Sequence, residues 1–348
     1  ASASDAAASG RTARRAITVF AVLLCAGAVL MVFVAPLLLS LLPHDPALVE
    51  RVRAAIPPGA ATAAPVGLAD WFAAIVPTNA IAAAAQSAML PLVVFALFFG
   101  FALTRIEASR RERLLEFFRA LADTMIVIVR WVLVLAPLGV FALVLAVCAR
   151  AGGGVIGALG GYIAMQVTTY LLATVLLYPI AMFFGGESMR RFAAGILPAQ
   201  VVAASTQSSL ASLPAMVECA QARLGHKPAV VSLVLPMAVS LFRITSPMQY
   251  LGSAIFIAWI YGIDVSAAHM AAAAALAVVV SLGSVGLPGQ VSFMATTMPV
   301  TSAMGLPLEP LGLLLAVDTI PDVFATVGNV SGDLTASSLV SRRAATDA

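Results

Sequence analysis

Residues 16–43, 71–104, 131–149, 151–186, 192–217 and 265–308 contain no Asp, Glu, Lys or Arg. A helix needs about 20 apolar residues to cross a bilayer, so several of these runs are long enough to span one. The 348 residues could make two soluble domains, but 61% of them are hydrophobic. Soluble domains hold roughly 45–50%, and not in unbroken runs. The expected fold class is an all-α polytopic membrane protein in the cell (inner or plasma) membrane, with the lipid bilayer as its first partner.

The charges that remain sort by position. Thirteen of the 19 basic residues, among them Arg11, Arg14, Arg15, Arg110, Arg190, Lys227 and Arg342, fall in short polar segments that alternate spans place on one side. Basic loops mark the cytoplasmic side, so the pI near 9.0 reports topology, and no nucleic-acid partner is expected. Cys25, Cys148 and Cys219 follow no ligand spacing and pack as small apolar groups. His44, His226 and His269 are scattered and make no metal site. The opening "ASASDAAASG" lacks Met and an apolar core, so it is not a signal peptide, and the chain is expected to lack its true start.

Residues 1–15 read as a cytoplasmic lead-in, 16–42 as a first span and 43–70 as an external loop. Further spans are expected over 71–149 and from 150 onward. Residues 187–220 and 265–308 do not parse as single spans. Each is interrupted by small residues and proline, "SLASLP" at 209–214 and "SLGSVGLP" at 281–288, and each is followed by a polar-spotted helix, 228–262 and 310–341. Both are expected to be re-entrant helical hairpins, since turns at membrane depth are tolerated only inside protein. Interrupted segments at matching positions of two halves point to inverted repeats with a site between them.

The sharpest feature is "DTIPDVFATVGNVSGD", residues 318–333. At 100° per residue, Asp318, Asp322, Asn329 and Asp333 fall at about 0°, 40°, 20° and 60°, one narrow stripe. A carboxylate at the bilayer centre costs roughly 2.5–3.5 kcal/mol on the insertion scale, so several together call for water, protons or a bound cation. The helix before it carries "LFRITSPMQY", whose Pro247 removes a helix donor. Unwinding is expected beside Arg243, where freed carbonyls and carboxylates would suit a hard cation. Arg243 either neutralises an aspartate of the stripe or meets a substrate carboxylate.

With "IVPTNAIAA" (75–83), "APLGVFAL" (136–143), "SSLASLP" (208–214), "GSVGLPG" (283–289) and "DTIPDVFATVGNVSGDLT" (318–335) in order, the chain resembles the dicarboxylate/amino acid:cation symporter family, the glutamate transporter homologues. The resemblance implies an elevator-type transporter with a static scaffold and a moving transport domain, forming a homotrimer in the full-length protein. On that reading 16–42 and 150–348 form the transport domain and 71–149 supply scaffold spans. The resemblance begins at the family's third helix, so the first two helices are expected to be absent.

Carried over residue by residue, the resemblance places Ser208 and Ser209 at the first hairpin tip, against the substrate carboxylate. Leu287 and Val291 line the site from the second hairpin. Asp322 binds a substrate amino group, Asn329 lies near both substrate and cation, and Asp333 ligates sodium, with Asp318 a further candidate ligand. Arg243 and Thr245 stand in the unwound helix. No cofactor is expected beyond sodium or a proton as coupling ion. Two departures stand out. The family's "NMDGT" reads "FRITS" (242–246) or "RITSP" (243–247) here, without its sodium-ligating aspartate, and the arginine that reads an acidic side chain is Ala325. The expected function is secondary active transport of a carboxylate-bearing solute, an amino acid or small dicarboxylate, with altered sodium sites. An anion-conducting channel is the alternative within transport. An intramembrane aspartyl protease also needs two membrane carboxylates, but its Gly-x-Gly-Asp signature reads "VSGD" at 330–333.

Overall fold

The computed structural model describes residues 3–42, 79–85, 95–96, 98–100, 102–121, 124, 127, 138, 153–282 and 289–346. The external loop (43–70) and most of the expected scaffold spans (71–149) lie outside the described residues. Those that are described form helices and turns, with no strand among them. The long helices are α1 (Ala3–Ser40), α3 (Gly153–Gly185) and, at the C-terminus, α11 (Thr319–Thr346), with a short α2 at Ala80–Ala85. Between them come α4 (Met189–Thr206), α5 (Ser209–Glu218) with a π turn at Cys219–Arg223, α6 (Pro228–Leu241), α7 (Thr245–Tyr261), α8 (Ala267–Ser281), α9 (Gly289–Ala303) and α10 (Pro310–Val317).

Among the described residues, three stretches are long and apolar enough to cross a membrane: Gly10–Ser40, Gly157–Gly185 and Pro228–Tyr261. Along α1, Ala16, Phe20, Leu24, Ala28, Met31, Ala35 and Leu39 are buried, one face at helical spacing. The opposite face carries Val22, Val29, Phe33 and Leu37, all exposed. A helix apolar on both faces fits a lipid surround rather than water.

Both segments expected to be hairpins consist of short helices. In hairpin 1, α4 has 18 residues and α5 only 10; in hairpin 2, α8 and α9 have 15 each and pack on one another. None reaches the roughly 20 residues of a span. The first turn lies just before the expected 209–214 tip. Gln207 adopts the left-handed region (φ 50) and Ser208 caps α5 by accepting a hydrogen bond from the Ala211 amide, so "SLASLP" is already helical. The second tip, 283–288, lies outside the described residues.

Both segments that follow the hairpins are broken. The 228–262 segment unwinds at Phe242 (φ −130, ψ 107) and Arg243. Pro247 cannot donate to the Arg243 carbonyl four residues back, and the Ser246 amide takes that carbonyl instead at 2.9 Å. The 310–341 segment, read from sequence as one helix, bends by 70° between α10 and α11. Pro321 has the same effect there, since its missing donor would have met the Val317 carbonyl. Asp318 sits in this joint, so only Asp322, Asn329 and Asp333 share an unbroken stripe.

The α11 helix packs most extensively on α3 and reaches α4, α6 and α1. One apolar cluster joins α1, α3, α7, α8 and α9, and a second fills hairpin 1 against α6 and α11. The broken segment of residues 242–245 lies where these bodies meet.

Candidate functional site

The unwound segment is seated by close approach to glycine on two sides. A Cβ on Gly328 would lie 2.9 Å from Thr245 Cγ2, and one on Gly332 3.1 Å from Ile244 Cγ2. These glycines, four apart, cut a groove into α11 for residues 242–245. From α1, a Cβ on Gly27 would stand 2.9 Å from the Ile244 carbonyl. Glycine at these positions lets both helices close on the unwound segment.

At the start of α7 the first amides have no intrahelical partner, and Ile244 offers no side-chain cap. Asn329 supplies one from α11: its Oδ1 accepts from the Thr245 amide (3.0 Å) and lies 2.9 Å from the Thr245 hydroxyl. The same hydroxyl is 3.2 Å from the Ala325 carbonyl. Thr245 and Asn329 thus clamp the unwound helix to the last one. The Asn329 Nδ2, fully buried, has no hydrogen-bond partner.

The acids are buried: Asp318 and Asp333 are 0% exposed and Asp322 is 2%. Gln249 Nε2 donates to both carboxylate oxygens of Asp318, at 2.9 Å each. Behind it, Gln166 Nε2 donates to the Tyr162 hydroxyl (3.2 Å) and approaches the Gln249 carbonyl (3.4 Å), and Tyr162 meets Ser253 at 3.0 Å. Neither oxygen of Asp333 has a hydrogen-bond partner. The hydroxyls of α11 behave differently. Thr326, Ser331, Thr335 and Ser338 each reach the carbonyl four residues earlier, and Ser331 also accepts from Gln200 Nε2 at 2.8 Å.

Arg243 is 5% exposed and is the only buried Lys or Arg among the described residues. It lies within electrostatic reach of Asp318 and of Asp333, and Asp318 within reach of Asp322. Ser209 is 2% exposed with its hydroxyl unpartnered, while Ser208 is half-buried at the hairpin tip. Val291 lies in α9 and Leu287 falls outside the described residues. No group of three His, Cys, Asp or Glu side chains converges among the described residues. The oxygen donors that lie here, carboxylate, amide and carbonyl, suit a hard cation such as sodium rather than a soft transition metal.

A match to the sodium:dicarboxylate symporter family covers residues 1–343. The chain belongs to this family. It is 31% identical over 276 residues to the proton/glutamate-aspartate symporter of Escherichia coli (strain K12), covering 79% of this chain and 62% of that protein. Against the proton/sodium-glutamate symport protein of Bacillus subtilis (strain 168) the figures are 28%, 79% and 63%. It is also 30% identical over 248 residues to neutral amino acid transporter B(0) of Oryctolagus cuniculus, covering 70% of this chain and 45% of that one. The chain thus spans less than two thirds of the length of these relatives. A symporter family is a family of transporters, not enzymes, and its members reside in membranes.

The sequence pointed to the acids, Arg243 and Thr245 but not to Gln249, Gln166, Tyr162 or Gly328. Gln249 and Gln166 are amides in apolar runs, the one signal that could have flagged them.

Proposed function

We propose that this chain carries out secondary active transport of a carboxylate-bearing solute, an amino acid or small dicarboxylate, coupled to sodium or protons by an elevator motion. The supporting observation is the charge deficit of the site. Three buried carboxylates face one buried guanidinium, and Asp333 leaves both oxygens without a donor. Buried carboxylates left in excess need mobile positive charge. A coupling ion and a substrate amino group supply it.

In this reading Asp322 receives the amino group, and the Ser208/Ser209 tip with Arg243 receives the carboxylate, since a guanidinium suits bidentate pairing. Asn329 and Asp333, with Asp318, hold the coupling ion. Arg243 stands as a fixed cation beside Asp333 and so displaces part of the sodium requirement. With Ala325 small and buried, no arginine at that position reads an acidic side chain. The names of relatives span proton and sodium coupling and acidic and neutral amino acids, which is consistent with a solute class set by few residues. The full-length protein is proposed to be a homotrimer in the cell membrane.

The test is uptake into proteoliposomes. Asp322→Asn is expected to abolish amino-acid uptake while sparing amine-free dicarboxylates, with a shallow sodium dependence in the parent protein. Undiminished amino-acid uptake in the variant, or a steeply cooperative sodium response, refutes the assignment.

A further inference from the structure

A second polar cluster lies at the foot of hairpin 1, apart from the stripe, and the transport reading makes no use of it. Here α3 ends, α4 begins, the π turn closes and α6 starts, all beside the last third of α11. Gly186 and Gly225, both at φ +76, make the two turns. A Cβ on Gly186 would stand 3.1 Å from Arg342 Cδ, and one on Gly225 3.0 Å from Arg191 Nη2. Two arginines therefore lie over two bare glycines. Arg191 is anchored by donating to the carbonyls of Arg223 (3.2 Å) and Leu224 (2.7 Å), and Arg342 by donating to the Phe183 carbonyl (2.7 Å).

Between them opens a cavity of about 440 Å³ whose walls include Lys227, Arg342, Ser338 and Ser341. Its one acid is already engaged. Glu187 Oε1 is 2.9 Å from His226 Nε2 and 3.4 Å from the Ser338 hydroxyl, and His226 Nδ1 is 3.1 Å from the Ser337 hydroxyl. Glu187 and His226 are 8% and 7% exposed, so this pair forms the floor. Lys227, Arg191 and Arg342 are exposed around the mouth. Beside it Phe183 and Phe184, each 66% exposed, end the apolar span Gly157–Gly185. The basic segments here are those that mark the cytoplasmic side.

We infer that this cavity binds a phosphate-bearing anion between Lys227 and Arg342, with Arg191 adding positive charge from behind Gly225. Guanidinium groups fork onto phosphate oxygens while the lysine adds a point charge. The bare backbone at Gly186 and Gly225 lets Arg342 and Arg191 lie against the two turns, and His226 engages the Glu187 carboxylate at the floor. The same chemistry serves an anionic phospholipid headgroup, whose acyl chains would run along Phe183 and Phe184, and free phosphate. An occupied site ties the end of α3, the foot of hairpin 1 and α11 together and so stiffens the body that carries the transport site.

The test is thermal unfolding of the full chain in detergent with added phosphatidylglycerol, phosphatidylcholine or inorganic phosphate. Phosphatidylglycerol is expected to raise the unfolding temperature where phosphatidylcholine does not. Lys227→Gln/Arg342→Gln should weaken that response at least roughly tenfold, since each basic side chain near an anionic surface contributes about a factor of five. Arg110→Gln/Arg111→Gln, in another basic segment, should leave it unchanged. An equal response to inorganic phosphate alone identifies free phosphate as the ligand of the same site. If the double variant does not unfold cooperatively, Lys227→Gln at its exposed position is measured alone, with roughly a fivefold loss expected. A response the same in parent and Lys227 variants, lost equally in the Arg110/Arg111 variant, or absent with both phosphate sources overturns the inference.

Discussion

Replacing Gln249 by leucine tests whether Asp318 is held in place by the unwound helix. The substitution keeps the volume nearly constant, and the Gln249 carbonyl that Gln166 approaches is backbone and survives. What is lost is one amide nitrogen lying 2.9 Å from both oxygens of a fully buried carboxylate. Because a single nitrogen serves both oxygens, we count one charge-assisted interaction, worth about 1.5–3 kcal/mol. Neutral side-chain hydrogen bonds between membrane helices average only about 0.6 kcal/mol, so the charge decides the size of the effect. Gln249→Leu should therefore cost about 2–3 kcal/mol. In an Asp318→Asn background the same change should cost only about 0.6 kcal/mol. Denaturant unfolding of the four proteins in mixed micelles gives the coupling directly, and about 1.5–2 kcal/mol is expected. A coupling under about 0.5 kcal/mol, the scatter of independent sites, refutes the account of Asp318.

Three further substitutions probe the seat of residues 242–245 and the floor of the second cavity. Gly328→Ala sets a methyl 2.9 Å from Thr245 Cγ2 and 3.0 Å from Thr174 Oγ1, whereas Gly332→Ala meets nothing nearer than 3.1 Å. The first should lower stability by about 1–3 kcal/mol and weaken solute-induced thermal stabilisation, the second less in both respects; the reverse order would contradict the groove. Glu187→Gln keeps one acceptor for His226 but removes the charge, so unfolding should show a loss of about 1–3 kcal/mol while the apparent affinity for transported solute stays at the parent value.

Both breaks in the helices follow from one rule, yet only one was expected from the sequence. Pro247 announced itself because an arginine in an apolar run drew attention to "LFRITSP". Pro321 stands in a segment whose polar stripe continues evenly on both sides, so periodicity argued for a straight helix and hid the 70° bend. The rule itself is local: each break falls four residues before a proline, where the missing donor leaves a carbonyl unbonded. The hairpin turn was shifted for a different reason. Its left-handed residue is Gln207, a side chain that seldom adopts φ above zero and gives no glycine signal. Contacts at long range were not legible at all. His226 and Glu187 are 39 positions apart, and Gln249 and Asp318 are 69 apart. Such pairings depend on how the bodies dock, which composition does not encode.

The arrangement of Arg243 and the acids explains why the unwound segment must be clamped rather than merely buried. A guanidinium placed by a continuous helix would have its position set by that helix alone. Here it lies in an unwound stretch held at one end by the Asn329–Thr245 contact and along its length by glycines of α1 and α11. Any shift of α11 that opens the Thr245 amide bond also moves Arg243 relative to Asp333, which belongs to the same helix as Asn329. The charge balance of the site is thereby tied to one backbone contact. On the proposed function, ions and solute that supply the missing positive charge would stabilise the closed clamp, and without them the uncompensated carboxylates would favour its loosening. Coupling between solute and ion then needs no direct contact between the two, because both act on the same joint between α7 and α11.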